Sequence, residues 1–358
     1  ADGDYSGENI KTFIKQDAQT GDTTIDVKMN KNLKAESVKV GKDGKDGIGI
    51  AKAEINADNI LVTEEEIKEA YEEVDDELIK VIRKAIKNIR DFHEKQIQKS
   101  WFETREDGVM LGQKVTPMET CGVYVPGGKA VYPSSVLMNI VPAHVAGVKN
   151  IIMTTPPGKD GKVTANTLVA AKEAGATKVY KVGGAQAIAA MAFGTESIPK
   201  VDKIVGPGNI FVALAKKAVY GNVSIDSIAG PSEILVLADE TANPRYVAAD
   251  LLSQAEHDEM ASAILVTTSE ELAHKVSDEI DGFLNQLSRK EIMEKSLDSF
   301  GYILVASDMK EAIDTANAIA SEHMEIMTAN PFDVMTRIKN AGAIFIGAYS
   351  CEPLGDYF

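Results

Sequence analysis

Val179-Tyr180-Lys181-Val182-Gly183-Gly184-Ala185-Gln186 opens on a short apolar run, turns through two glycines and enters a helical stretch over 185–192. The same order surrounds it. Upstream, Ile151-Ile152-Met153 precedes a helical pattern at 168–174; downstream, Ile204-Val205 and the turn Gly206-Pro207-Gly208-Asn209 lead into another at 209–219. Strands alternating with helices predict a parallel sheet, because a parallel connection must run back along the sheet before the next strand starts. A second block repeats the pattern after Pro231, with strands at 234–237, 264–266, 302–305, 326–327 and 343–346. Its helix at 244–256 has Asn243 as N-cap and Pro244 in the first turn, both favoured there. The expected fold class is α/β, with two units in tandem.

Ahead of these units, Thr63 and Glu66 make a capping box. Ile67, Tyr71, Val74, Leu78, Val81, Ala85, Ile89 and Phe92 follow at spacings of three and four, which predicts one long amphipathic helix. Extended stretches flank Asp107-Gly108, a hairpin turn signal, and end in the loop Tyr124-Val125-Pro126-Gly127-Gly128. Residues 1–58 differ in composition. They are polar and rich in Gly, Asp, Lys and Thr, with one alternating run at 23–29 that reads as a strand and a tandem Gly-Lys-Asp repeat at 41–47. Such a segment cannot build a core alone.

The chain of 358 residues carries 38 Lys and Arg against 54 Asp and Glu, a net charge of −16. That balance argues against a general nucleic-acid or anionic-membrane binder, since both require concentrated positive charge. No apolar run approaches the ~20 residues of a membrane span. Two cysteines, Cys121 and Cys351, are too few for a disulfide scaffold or a four-thiolate zinc site and fit a reducing compartment. The N-terminus shows no secretion signal. The expectation is a soluble, globular, cytoplasmic protein.

Small residues in the turns at 183–186 and 206–209 let backbone amides and a positive helix end approach a phosphate. Yet Gly206-Pro207-Gly208-Asn209-Ile210-Phe211 lacks the third glycine of a dinucleotide fingerprint, so ordinary tight turns explain these segments equally well. Gln254 and His257 lie three apart and project from one helix face, where they can chelate an ion or simply form a solvated helix end. Glu322-His323 sits in an expected loop before a strand, where a carboxylate beside an imidazole can take and return a proton at neutral pH; a solvated junction is the plain alternative. His93, His144 and His274 read as packing or surface residues. No Gly-x-Ser-x-Gly elbow, Walker loop or Cys-x-x-Cys occurs.

Ile225-Asp226-Ser227-Ile228-Ala229-Gly230-Pro231-Ser232-Glu233, continuing to Leu252-Ser253-Gln254-Ala255-Glu256-His257-Asp258, resembles the histidinol dehydrogenase family. The resemblance runs from about Leu61 to Phe358. It includes the Gly-Val-Tyr-Val-Pro-Gly-Gly loop, the Val-Gly-Gly-Ala-Gln turn, the Gly-Pro-Gly-Asn turn, Ser-Glu-His and the closing Gly355-Asp356-Tyr357. It implies two incomplete Rossmann-like (aldehyde dehydrogenase-like) units, divided as 60–123 plus 232–358 for the metal and catalytic residues and 124–231 for the NAD contacts. It also implies a zinc-dependent homodimer that oxidises L-histidinol to L-histidine, the end of histidine biosynthesis, in two steps with two NAD. By motif, Tyr124, Gln186 and Asn209 match NAD contacts, and Gln254, His257 and Asp356 match zinc ligands. Ser232 matches a substrate contact, with Gln254, His257, His323 and Asp356 also facing the substrate. Glu322 and His323 match the catalytic pair, His323 removing the hydroxyl proton and Glu322 activating water.

Two departures qualify the resemblance. Family chains continue beyond the position of Phe358 into a region that supplies a further histidine ligand and a substrate-binding glutamate, so the chain as given is expected to turn over little. Residues 1–58 resemble instead a piece of a trimeric autotransporter adhesin, on the basis of Gly7-Glu8-Asn9-Ile10-Lys11-Thr12 and the Lys-Asp-Gly repeat. The competing readings are a non-catalytic chimera or adhesin fragment carrying an enzyme remnant, and a related aldehyde dehydrogenase, which needs a catalytic cysteine.

Overall fold

The computed structural model describes residues 60–127 and 133–357, the side chains of Asp356 and Tyr357 excepted, and before residue 60 only the backbone of four strands. The chain forms two compact units, Ala1–Asn59 and Ile60–Phe358. In the leading unit β1 (Ile10–Gln16) pairs antiparallel with β2 (Thr23–Met29), the run expected as a strand, and β3 (Ser37–Val38) pairs with β4 (Ile50–Ala51). The repeat at 41–47 lies outside the described residues. So does the adhesin-like stretch 7–12, apart from its backbone from Ile10 onward.

In the larger unit the expected single long helix is two, Glu64–Glu73 and Asp76–His93. Val74 leaves the helix at φ −85°, ψ 134°, and Asp75 restarts it by accepting the Glu77 N–H at 2.8 Å. An unshared Asp side chain competes well for such an N-cap, so the apolar spacing persists through a broken axis. The Thr63–Glu66 capping box is present. The stripe Ala70, Ile79, Ile82, Ala85 and Ile89 is buried in one core with residues of the helices Pro133–Val145 and Ala165–Ala174. The hairpin β5 (Trp101–Thr104) and β6 (Met110–Gln113) turns at Gly108, whose φ is 81°.

The two parallel sheets follow. The first contains β7 (Thr120–Tyr124), β8 (Asn150–Thr154), β9 (Lys178–Tyr180), β10 (Lys203–Val205) and β11 (Ser224–Ile225) in the order β11-β10-β7-β8-β9. The second contains β12 (Glu233–Ala238), β13 (Ser262–Thr267), β14 (Gly301–Val305), β15 (His323–Met327) and β16 (Ala343–Ile346) in the order β14-β13-β12-β15-β16. Each sheet grows outward on one side of its first strand and then returns to the other side, the doubly wound pattern. Along β12, Ile234 and Val236 enter the core under the helix Pro244–Ala255, whereas Leu235 and Leu237 enter the core with Ala312 and Ala316 of the opposite helix Met309–Ile319. This period-two alternation buries both sheet faces. The expected division at 231/232 falls between β11 and β12. Residues 64–93 add their apolar stripe to the core beside β7 and β8, and the helix Leu354–Tyr357 packs on Asp76–His93.

Candidate active site

Asn243 starts the helix Pro244–Ala255 by accepting the Arg245 N–H at 3.0 Å, and the helix then runs antiparallel to the strands it covers. Its last turn therefore lies over the amino end of the second sheet. Gln254, in that turn, is 1% exposed, and neither its Oε1 nor its Nε2 has a hydrogen-bond partner among the described residues. His257 follows, exposed, with its N–H donating to Gln254 O at 3.0 Å. The same end of the sheet carries Ser232, whose carbonyl accepts the Ser262 N–H at 3.0 Å just before β12 and β13.

His323 is the first residue of β15, paired with Ile234 and Ala343, so only Glu322 keeps the expected loop position. The ladder reaches one residue further than an acidic-imidazole pair suggests because Ala343 N–H donates to Glu322 O at 2.8 Å. Glu322 is exposed, and its N–H donates to Glu233 at 3.3 Å. His323 is half-buried, with Nδ1 unpartnered among the described residues and Nε2 4.0 Å from Glu352 Oε1.

Gln254 and His323 both lie toward the amino end of the second sheet. One helical turn back from Gln254, Asp250 meets Glu325, which lies two residues along β15 from His323. Four helical residues advance ~6 Å and two strand residues ~6.6 Å, so Gln254 and His323 lie similar distances from the Asp250–Glu325 contact, toward the amino end. Glu325 also accepts the Glu352 N–H at 3.0 Å, drawing in the segment before Leu354–Tyr357. Gly355 there lies against Phe345, whose ring is 6.2 Å from His323. The backbone carrying Asp356 thus approaches the cluster, while the Asp356 side chain lies outside the described residues.

Among the described residues no three His, Cys, Asp or Glu side chains converge on one point. Gln254, an amide, and Asp356 fall outside that set. A buried amide with neither atom partnered is costly in an apolar core, and a cation bound by its oxygen relieves half of that cost. The amide, imidazole and carboxylate of Gln254, His257 and Asp356 are N and O donors of the kind zinc accepts; the residues fit the ion.

The second group of candidates sits at the carboxyl end of the first sheet, between β7 and β10, where the strand order reverses and crevices form in doubly wound sheets. Tyr124 ends β7, is 4% exposed, and its hydroxyl accepts the Gly184 N–H at 3.0 Å. That bond ties it to the turn bearing Gln186. The backbone of Tyr124 lies against the other turn: a Cβ on Gly206, whose φ is 111°, would stand 2.0 Å from Tyr124 O. Asn209 caps Ile210–Val219 by accepting the N–H groups of Phe211 and Val212 at 3.1 and 3.2 Å. Tyr124, the Gln186 turn and the Asn209 turn are therefore brought together. Gly128, the last residue of the predicted loop, lies outside the described residues.

Asp250, Glu325, Lys216 and Asp226 went unnoticed in the sequence. Glu325 stands on the inward phase of a buried strand, and Lys216 interrupts the buried stripe Val212, Val219 of its helix; a charge on a buried phase is the signal that was available. The cysteines offer no nucleophile. Cys121 is buried, and burial pushes its thiol up to about 11; Cys351 is raised by burial and by Asp250 and Glu325. A thiol held neutral is a poor nucleophile, which argues against the catalytic cysteine that the aldehyde dehydrogenase reading needs.

The histidinol dehydrogenase family profile matches residues 23–358. The chain is 60% identical over 304 residues to the histidinol dehydrogenase of Bacillus subtilis (strain 168), covering 85% of this chain and 71% of that one. It is 57% identical over 304 residues to that of Geobacillus kaustophilus (strain HTA426), covering 85% and 72%. The crystal structure of histidinol dehydrogenase from Elizabethkingia anophelis superimposes with a TM-score of 0.81 at 42% identity, over 83% of this chain and 69% of that one. The chain belongs to the histidinol dehydrogenase family and is an NAD-dependent oxidoreductase of histidine biosynthesis.

Proposed function

We propose that this chain oxidises L-histidinol to L-histidine in two NAD-linked steps, with zinc held by Gln254, His257 and Asp356. The observation that carries the reading is the buried, unpartnered amide of Gln254 at the same end and face of the second sheet as His323. Zinc, when bound, holds the substrate's amine and imidazole nitrogens, and NAD, when bound at Tyr124, Gln186 and Asn209, accepts the hydride.

His323 takes the hydroxyl proton as the hydride leaves carbon, giving the aldehyde. As general base it must release that proton before the second cycle. Glu322, exposed beside it, takes a proton from the water that adds to the aldehyde, and His323 takes the hydroxyl proton of the hydrate as the second hydride leaves. Ser232 contacts the substrate from the start of β12. The same reading makes the protein a cytoplasmic homodimer, as the family resemblance implies.

Spectrophotometric counting of NADH formed from L-histidinol by the zinc-loaded protein tests this. Two NADH per histidinol are expected. A yield of one removes the second oxidation, and no NADH from zinc-loaded protein favours the non-catalytic reading.

A further inference from the structure

Lys216 lies in the helix that Asn209 caps, yet it is only 2% exposed and its ammonium points back toward the turn that begins the helix. Its Nζ donates to Gly206 O at 2.9 Å and pairs with the Asp226 carboxylate. Asp226 follows β11, and its Oδ2 accepts the Gly206 N–H at 2.7 Å while Oδ1 accepts the Ser227 N–H at 2.7 Å. Both polar groups of one glycine are thus gripped by one ion pair, and Tyr124 O blocks movement from a third side. The N–H groups of Gly208, Asn209 and Ile210 enter no hydrogen bond among the described residues.

A buried ion pair is weak evidence for stability, because desolvation offsets most of the attraction. Its placement on both the N–H and the C=O of a single residue is what calls for a reason. We propose that Lys216 and Asp226 are positioning residues for the nucleotide: they fix the backbone of Gly206 so that the turn to Asn209 presents its free amides to NAD, and neither side chain touches the cofactor. The proposal rests on the reading of Tyr124 and Asn209 as NAD contacts. Lys216 has no part in neutralising a phosphate, since its ammonium is already held by a carboxylate and a carbonyl.

The test separates positioning from folding by breaking the pair in two ways. Lys216→Met and Asp226→Ala each leave one charge uncompensated, so both lower the melting temperature and weaken NADH binding. The double variant Lys216→Met with Asp226→Leu removes both charges and should recover much of the melting temperature. Its NADH dissociation constant, read by fluorescence titration, should stay raised by about 10- to 100-fold, the scale of a misplaced binding group. NADH affinity that recovers together with the melting temperature overturns the proposal. Asn209→Ala is the control for the site: if it binds NADH like wild type, the cofactor-site reading fails, whereas weak binding there with wild-type binding in the double variant sinks only the Lys216–Asp226 role. If the double variant does not fold, Asp226→Asn, which keeps an oxygen for the Gly206 N–H, should lose less NADH affinity than Asp226→Ala; equal affinities in the two overturn the proposal.

Discussion

Glu325 and Asp250 meet carboxyl to carboxyl across the interface between β15 and the helix Pro244–Ala255. Glu325 is 1% exposed, and its Oε2 has no hydrogen-bond partner among the described residues. Burial, and then Asp250 beside it, push Glu325 up to about 9, and burial raises Asp250 as well. Two ionised carboxylates are not tolerated in such a site, so the pair keeps one proton through neutral pH. The contact ties the helix bearing Gln254 to the strand bearing His323.

This proton makes stability depend on pH. Glu325 has an ordinary value of 4.5 and a folded value of about 9, so between these limits the folded state holds more proton than the unfolded state. The group's contribution is whole below about 4.5 and is lost as pH rises through about 9. Glu325→Gln keeps a donor for Asp250 but cannot titrate. Its unfolding free energy should therefore gain on wild type by up to ~1.4 kcal/mol per pH unit across that window. Urea unfolding at several pH values checks this, and parallel curves for the two proteins contradict it.

The Tyr124 hydroxyl is the sole link among the described residues between β7 and the Gly184 N–H. Tyr124→Phe leaves that N–H buried without an acceptor, a loss of about 1–3 kcal/mol, and frees the turn that carries Gln186. The variant should melt at lower temperature and bind NADH more weakly. Wild-type affinity despite a lowered melting temperature would leave Tyr124 a structural residue only.

The two parallel sheets were legible because each strand is a short apolar run closed by a turn and followed by a helical period, as at Val179–Gln186. The break at Val74–Asp75 was not, since spacings of three and four continue across it and only the cap of Asp75 reveals it. Spacing put Gln254 and His257 on one helix face, but the helix ends at Ala255, so Gln254 is buried in its last turn while His257 lies exposed in the turn beyond. That Gln254 and His323 lie toward the same end of the sheet depends on the direction in which the helix crosses it, and that direction is a tertiary fact. Lys216 shows the same limit: its position on a buried stripe is visible in the letters, but its partner Asp226 sits just past β11, reached only after the helix ends.

His323 occupies the start of a strand with its Nδ1 buried, so a substitution there can be made without disturbing the nucleotide turns on the other sheet. His323→Asn retains polar character but cannot carry a proton at neutral pH. Turnover should fall by ~100- to 10,000-fold, the usual contribution of a general base, while NADH affinity and zinc content stay at wild-type levels. Rapid-mixing measurement of NADH formation decides it. A variant within a few-fold of wild type removes His323 from the proton-transfer role.

Gln254 sets stability against binding. In the absence of a ligand its amide is buried with both polar atoms unpartnered among the described residues, and replacing such a group with an apolar one of similar shape is neutral or stabilising. Gln254→Met should accordingly melt at or above the wild-type temperature when both proteins are stripped with a chelator. Added zinc stabilises a protein in proportion to the logarithm of its occupancy, so the wild type should rise in melting temperature with zinc and the variant should rise far less. The two curves therefore cross: Met leads in chelator and Gln leads in zinc. If the variant responds to zinc as wild type does, Gln254 is not a ligand. If it instead melts well below wild type in chelator, the amide has a partner that the described residues do not supply, and the Asp356 side chain is the first place to look for it.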